Sequence, residues 1–256
     1  MRIGFIGTGV ITSALVTGLC TAEAAGDLSI RVSPRNRDRA DYLARTFDPV
    51  TVGRDNQDVL DHADVVFAAI LPDQMAEVLE PLRFRSDQVV VSLLAGAGIA
   101  AVAEVVAPAR RVLRVLPLPC VSRHVGPVAI HPDDPEIRAL LTPLGRVLAV
   151  ENEAEMAHLV VITGLMAPYY KLLRTVVDWA EGAGADPKTA SDYTAAMFAA
   201  FSRLVEDLPD GRVDPLLKDS LTPGGLNALA LETIEADGGF RHIEAALKAV
   251  HRRIQS

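Results

Sequence analysis

The chain has 256 residues, half of them hydrophobic, and a formal net charge of −8. That length carries one or two domains with a large core, and the acidic balance excludes a chain-wide basic footprint for nucleic acid. Cys20 and Cys120 stand too far apart in sequence to suggest a disulfide framework, so a reducing, cytoplasmic setting is expected.

"RIGFIG" reads as a buried strand that begins at Arg2 and leaves no room for a basic signal region. "GVITSALVTGLCTA" is the helix after it. "LSIRVS" is a second strand and "NRDRADYLARTF" a second helix. "ADVVFAAI" and "DQVVVSLL" are further strands, each with a helical stretch behind it. "RRVLRVLP", "GPVAIHP" and "RVLAVE" complete the series. Alternating strands and helices predict a parallel sheet covered on both faces. The most membrane-like segment, Val89 to Val106, contains Ser92 and Glu104 and is read as a strand followed by a helix, so no membrane span is expected.

The pattern changes near Glu151, and no convincing strand follows. "EAEMAHLVVITGLMAPYYKLLRTVVDWAEGAG" has helical periodicity, and Trp179, Met156, Met166 and Met197 are expected in a helical core. Asp186 and Pro187 open another helix as cap and first residue. "FRHIEAALKAVHRRI" is an amphipathic helix with Ile243, Ala246, Leu247 and Val250 on one face. The predicted fold is therefore α/β. A Rossmann-type dinucleotide-binding domain (1–151) precedes an all-α domain (152–256).

"IGFIGTGVITSAL" places Gly7 and Gly9 between the first strand and helix. Gly7 suits a tight turn, and Gly9 lets the backbone approach a pyrophosphate at the helix N-terminus. Thr8, Val10 and Ile11 complete that loop, and Thr12 replaces the third glycine of the usual pattern. The second strand ends in Ser33, Arg35, Asn36 and Arg37 rather than in the acidic residue that favours NAD. Hydroxyl and guanidinium groups suit a 2′-phosphate, so NADP(H) is expected over NAD(H). Ala69, Leu71 and Pro72, and then Ala95 and Gly96, lie just past two further strands. They would leave room for the nicotinamide half. His124 and His131 have no second ligand at metal spacing, and no metal is expected.

In its order of motifs the sequence resembles the pyrroline-5-carboxylate reductases along nearly its whole length. "MRIGFIGTG", "DVVFAAILPDQ", "SLLAGAGIAAVAEVV", "RVLRVLP", "LGRVLAVENEAEMAHLVVITG" and "LTPGG" carry the likeness. The resemblance implies reduction of a small cyclic imino acid, as in the last step of proline synthesis. It also implies a homodimer or higher oligomer formed through the helical domain. The chain departs from the family at Leu118–Cys120, at Thr163–Tyr170 and at Leu226–Asn227, where the family has N-T-P, S-G-S-G-P-A-Y and T-T.

The resemblance places substrate contacts at Thr163, Thr222, Gly224, Gly225, Leu226 and Asn227. "SLTPGGLNAL" can begin a helix, with Thr222 as cap and Pro223 in the first turn, or hold a carboxylate on the next backbone amides. Leu226 there removes a hydroxyl and leaves the amides. Tyr169 matches a family tyrosine, and Tyr169, Lys171 and Thr222 are the candidates for catalytic roles. Lys171 also resembles the acid lysine of the β-hydroxyacid dehydrogenases. That leaves two other readings open. One is an NADP-dependent hydroxy-acid or carbonyl dehydrogenase that uses Lys171. The other is a non-catalytic NADP-binding regulatory homodimer.

Overall fold

The computed structural model describes residues 1–23, 27–209 and 211–255. The chain divides into two compact units, Met1–Val160 and Val161–Ile254. The division falls nine residues beyond the change of pattern at 151, inside a helix that runs Glu153–Thr163.

The first unit is built on one sheet of eight strands: β1 (Arg2–Ile6), β2 (Ser29–Val32), β3 (Val50–Val52), β4 (Val65–Ala68), β5 (Val89–Ser92), β6 (Arg111–Pro117), β7 (Pro127–His131) and β8 (Arg146–Ala149). Their order is β3-β2-β1-β4-β5-β6-β7-β8. Its helices are α1 (Val10–Thr21), α2 (Arg37–Thr46), α3 (Asn56–His62), α4 (Met75–Leu79), α5 (Ile99–Val105), α6 (Pro135–Leu141) and α7 (Glu153–Thr163).

Successive side chains of a strand point to opposite faces. Here both faces are buried. Ile3, Phe5, Val65, Phe67, Val89 and Val91 join one apolar cluster with α1, α2 and α6. Ile6, Val66, Ala68 and Val90 join a second cluster with α3, α4 and α5. Phe5 and Phe67 stack across neighbouring strands with ring centroids 4.7 Å apart. This burial on both sides explains why the strands read as continuous apolar runs.

Two features differ from the sequence reading. β3 is an additional strand of three residues, too short for its alternation to register. β7 runs antiparallel to β6, so the sheet is mixed. A parallel crossover needs about a dozen residues or more. The link 118–126 instead turns back through a 3₁₀ segment at Pro119–Arg123 and through His124, which lies in the left-handed region at φ 59°.

The second unit is helical: α8 (Met166–Gly182), α9 (Pro187–Glu206), α10 (Asp214–Ser220), α11 (Leu226–Ala236) and α12 (Gly239–Gln255). Asp186 caps α9 by accepting from the Thr189 amide, with Pro187 at the first helical position. The long helical stretch of the sequence reading is two helices, α7 and α8, separated at Gly164–Leu165. By length and composition alone, Glu153–Gly182 could cross a membrane. Met156 is buried, but Trp179 is 74 % exposed and Met166 is exposed too, so neither belongs to a core within the chain. The periodicity marked an apolar face correctly but not what covers it.

Arg111 at the start of β6 forks onto Asp134, with Nε–Oδ2 2.7 Å and Nη2–Oδ1 2.6 Å, and also reaches Glu136. Asp134 in turn caps α6 by accepting from the amides of Glu136 and Ile137. Its carboxyl is held below the ordinary carboxylate range, chiefly by the Arg111 hydrogen bonds and then by the capped amides, against the opposing effect of burial. A depressed folded-state pKa adds stability above the unfolded pKa of about 4, and that stability is lost as pH falls through the folded value. Asp134→Ala is therefore expected to lower stability by about 2 kcal/mol near neutral pH. In urea titrations the gap to the wild type should close in strong acid; an equal gap at both pH values would refute the linkage.

Candidate functional site

The C-terminal ends of β1, β2, β4 and β5 open onto a cleft of about 590 Å³. Gly7, Thr8, Gly9, Val10 and Ile11 line it, together with Arg35 and Asn36. Ala69, Leu71, Pro72 and Ala95 lie along its other side. These eleven residues, read separately from the sequence, share one cavity. Ile70, Gln74 and Leu93 also line it. They went unnoticed because apolar and amide side chains at strand ends carry no distinctive signal.

The glycine loop is fixed by sterics. Gly7 has φ +95°, and a Cβ there would run into the carbonyl oxygen of Ala69. Gly9 caps α1 without a side-chain hydrogen bond, and a Cβ on it would meet nothing within 4 Å. The first turn of α1 carries no acidic residue. The helix start thus borders open space at Gly9 and has no competing carboxylate in its first turn, which is the setting an anion requires. Thr12 fills the place of the third glycine. It is buried, and its hydroxyl donates to the Gly7 carbonyl at 2.6 Å, closing the turn from inside.

Ser33 corrects an expectation. Its side chain does not reach the cleft but is fully buried beneath the loop. Its Oγ accepts from the Gly7 amide at 2.9 Å. The Thr8 hydroxyl donates to the Ser33 carbonyl at 2.6 Å and lies 3.1 Å from Ser33 Oγ. With the Thr8 proton on that carbonyl, the Ser33 hydroxyl is left to share its own proton with Thr8 Oγ1. Arg37 is also absent from the cleft lining; it is an exposed residue of α2, 3.8 Å from Asp41. Gly96 lies just past the lining, at φ +89°.

Arg35 remains as the cation of the cleft and has no carboxylate partner among the described residues. Asn36 Oδ1 is engaged in capping α2 through the Arg39 amide, which leaves its amide protons as donors. The residues present thus fit a dinucleotide, with amides for its pyrophosphate and Arg35 and Asn36 at the end of β2.

In the helical unit, the TPGG segment differs from the expected helix start. Thr222 does not cap α11, and Pro223 is not in its first turn. The Gly225 amide donates to the Thr222 carbonyl at 2.8 Å, and Gly224 has φ +71°. This is a type II turn, with proline and glycine at its two central positions. It stands before the helix, and Gly225 is the cap. Asn227 is partly committed, because its side-chain amide donates to the Ser220 carbonyl at 3.1 Å and closes the loop. Leu226, the first residue of α11, is 85 % exposed.

Tyr169 on α8 packs edge-on against Phe198 of α9, ring centroids 6.2 Å apart. Lys171 is exposed, and Thr163 at the end of α7 is half-buried. No hydrogen bond joins Tyr169, Lys171 and Thr222 among the described residues.

A mixed sheet of this order with a glycine loop beneath an open cleft defines a dinucleotide-binding oxidoreductase domain. Residues 2–96 match the family described as NADP oxidoreductase, coenzyme F420-dependent. Pyrroline-5-carboxylate reductase of Mycobacterium tuberculosis is 30% identical over 98% of this chain and 95% of its own length. The solved 1-pyrroline-5-carboxylate reductase of Streptococcus pyogenes superposes with a TM-score of 0.86 at 20% identity, covering 99% of this chain and 98% of that one. Plasmodium falciparum pyrroline carboxylate reductase, solved with NADP bound, gives 0.85 at 18% identity and covers 99% and 97%. The chain belongs to the pyrroline-5-carboxylate reductase family.

Because Ser33 supports the glycine loop and does not line the cleft, Ser33→Ala is expected to weaken NADPH and NADH by the same factor, roughly tenfold. Fluorescence titration of both cofactors measures this, and a loss confined to NADPH would put Ser33 at the 2′-phosphate after all.

Proposed function

We propose that the chain reduces the C=N bond of a small cyclic imino acid with NADPH, as its family relationship and its cleft together support. The observation that carries the reading is the α1 N-terminus, open and free of acidic residues, in the same cleft as Arg35. The nicotinamide of NADPH, when bound, supplies the hydride.

With the Gly7 amide engaged by Ser33, the amides at the start of α1 would hold the pyrophosphate. Arg35 would favour NADPH through charge-assisted bonds to the 2′-phosphate, where an acidic residue would repel it. Ala69, Leu71, Pro72 and Ala95 give the inner half of the cleft an apolar wall that excludes water. The Gly225 amide is spent within the turn, so the amides of Gly224 and Leu226 would be the ones offered to the substrate carboxylate. Leu226 stands beside it where the family has a threonine, so the carboxylate relies on backbone donors. Thr163, Thr222 and Asn227 are the remaining substrate candidates of the helical domain. Tyr169 remains the candidate side chain on α8. Lys171 would carry proton transfer only in a dehydrogenase, and no observed contact favours that role.

Trp179, Tyr193, Phe201 and Leu204 of α8 and α9 are exposed in the single chain. Apolar surface on this scale marks an interaction face, and it supports a homodimer or larger assembly formed by the helical domain, in the cytoplasm. Light scattering should give at least a dimer; a monomer at micromolar concentration would exclude this.

The activity test is oxidation of NADPH with pyrroline-5-carboxylate, compared with pyrroline-2-carboxylate and 2-keto acids. Turnover of an imine and not of keto acids is expected. NADPH binding without turnover of any imine would overturn the proposal in favour of a regulatory NADP-binding protein. Arg35→Ala should raise KM for NADPH at least about tenfold while changing that for NADH little. Equal changes would remove the phosphate role from Arg35.

A further inference from the structure

One ion pair of the sheet unit, between a buried arginine and a half-buried glutamate, lies outside the cleft and outside the chemistry above. Arg114, in the middle of β6, has a side chain only 7 % exposed. Its carboxylate partner is Glu153, the first residue of α7, with Nη1–Oε1 3.2 Å. The same oxygen accepts the backbone N–H of Ile99 at 2.8 Å. Ile99 is the first residue of α5, and Gly98 before it has no side chain with which to cap that helix. Glu153, fifty-four residues further along, supplies the missing acceptor.

The location gives this contact a consequence. The segment from Leu93 to Gly98 leaves β5 and ends at α5, and Leu93 and Ala95 within it line the cleft. Its first end is held by the sheet, where the Leu93 amide donates to Ala68, and by the Ser92 hydroxyl, which accepts from the Leu94 amide at 3.3 Å. Its far end is held by Glu153. Gly98 lies directly against the carboxylate: a Cβ on it would sit 3.6 Å from Oε2 and 3.7 Å from Oε1. Arg114 holds that carboxylate in place through the 3.2 Å contact, and a buried guanidinium without it would be strongly unfavourable.

We infer that Glu153 is a positioning residue for the dinucleotide, holding the 93–98 wall of the cleft through the Ile99 amide with Arg114 as its buried counter-ion. The inference rests on the cleft taking NADPH. It separates two roles of the pair. The charge of Glu153 neutralises Arg114, and its hydrogen bond to Ile99 fixes the wall.

The test compares Glu153→Gln, Glu153→Ala and the double variant Arg114→Leu/Glu153→Leu by NADPH fluorescence titration, thermal melting and steady-state imine reduction. Glu153→Ala strands a buried charge and can fail to fold. The double variant removes both charges at once, so no buried charge is left without its partner. It is expected to fold and yet bind NADPH about tenfold more weakly, with KM for NADPH raised and kcat at saturating NADPH within about threefold of the wild type. Glu153→Gln, which keeps an acceptor for the Ile99 amide, should retain NADPH affinity within about threefold. A folded double variant with wild-type NADPH affinity would overturn the inference alone. A double variant that does not fold, together with a Glu153→Gln variant that loses affinity as far as it loses stability, would overturn it in favour of a purely structural pair. Absence of NADPH binding by the wild-type chain would overturn the cofactor reading and this inference with it.

Discussion

The hydroxyl of Ser33 is the point on which the cleft depends. It lies at the end of β2, accepts the Gly7 amide at the end of β1, and closes a circuit with Thr8. A glycine loop is conformationally permissive and costly to order. Here it is held from below by a buried serine, from within by the Thr12 hydroxyl on Gly7, and from the side by the Ala69 carbonyl, which admits no Cβ. The donors used in this scaffold, the Gly7 amide and the hydroxyls of Thr8 and Thr12, are spent on groups of the loop and of Ser33. The amides at the start of α1 stay free because the loop is held by other groups.

The same logic recurs across the cleft. The wall after β5 is anchored by a carboxylate from α7, which is itself neutralised by an arginine inside the sheet. In both places the residue that touches the cleft is small or apolar, and the residue that fixes it is polar and partly or fully buried. A buried polar group is tolerated only when its hydrogen bonds are made. Among the described residues no buried side-chain nitrogen or oxygen lacks a partner. Polar burial in this unit thus serves to hold backbone.

The helical unit follows another rule. Its long apolar side chains are exposed, and its polar loop at 220–227 is closed by Asn227 upon Ser220 and by the Thr222–Gly225 turn. Leu226 adds an exposed apolar residue beside that turn. A hydroxyl is lost relative to the family there, while the backbone donors of the turn are unaffected by the change.

Much of this was legible in the sequence because it follows local rules. Gly7 and Gly9 between an apolar run and a helix can be read in one pass, as can Asp186–Pro187 at a helix start. The apolar runs that became β4 and β5 also read correctly, since burial on both faces demands them. The direction of β7 was not legible, because it depends on how a nine-residue link turns and not on the strand's own side chains. Nor was the role of Ser33. A hydroxyl at the end of β2 suits a phosphate by its chemistry, and only the approach of the Gly7 amide from another strand decided that it faces inward. The turn at Thr222–Gly225 shows the same limit, since cap and turn use the same residues and the backbone angle at Gly224 chooses between them. Local chemistry and periodicity are properties of neighbouring residues and so were determined by the sequence alone. The partners of Ser33 and Glu153 come from residues 26 and 54 positions away, and only the tertiary structure could bring those groups within hydrogen-bond reach.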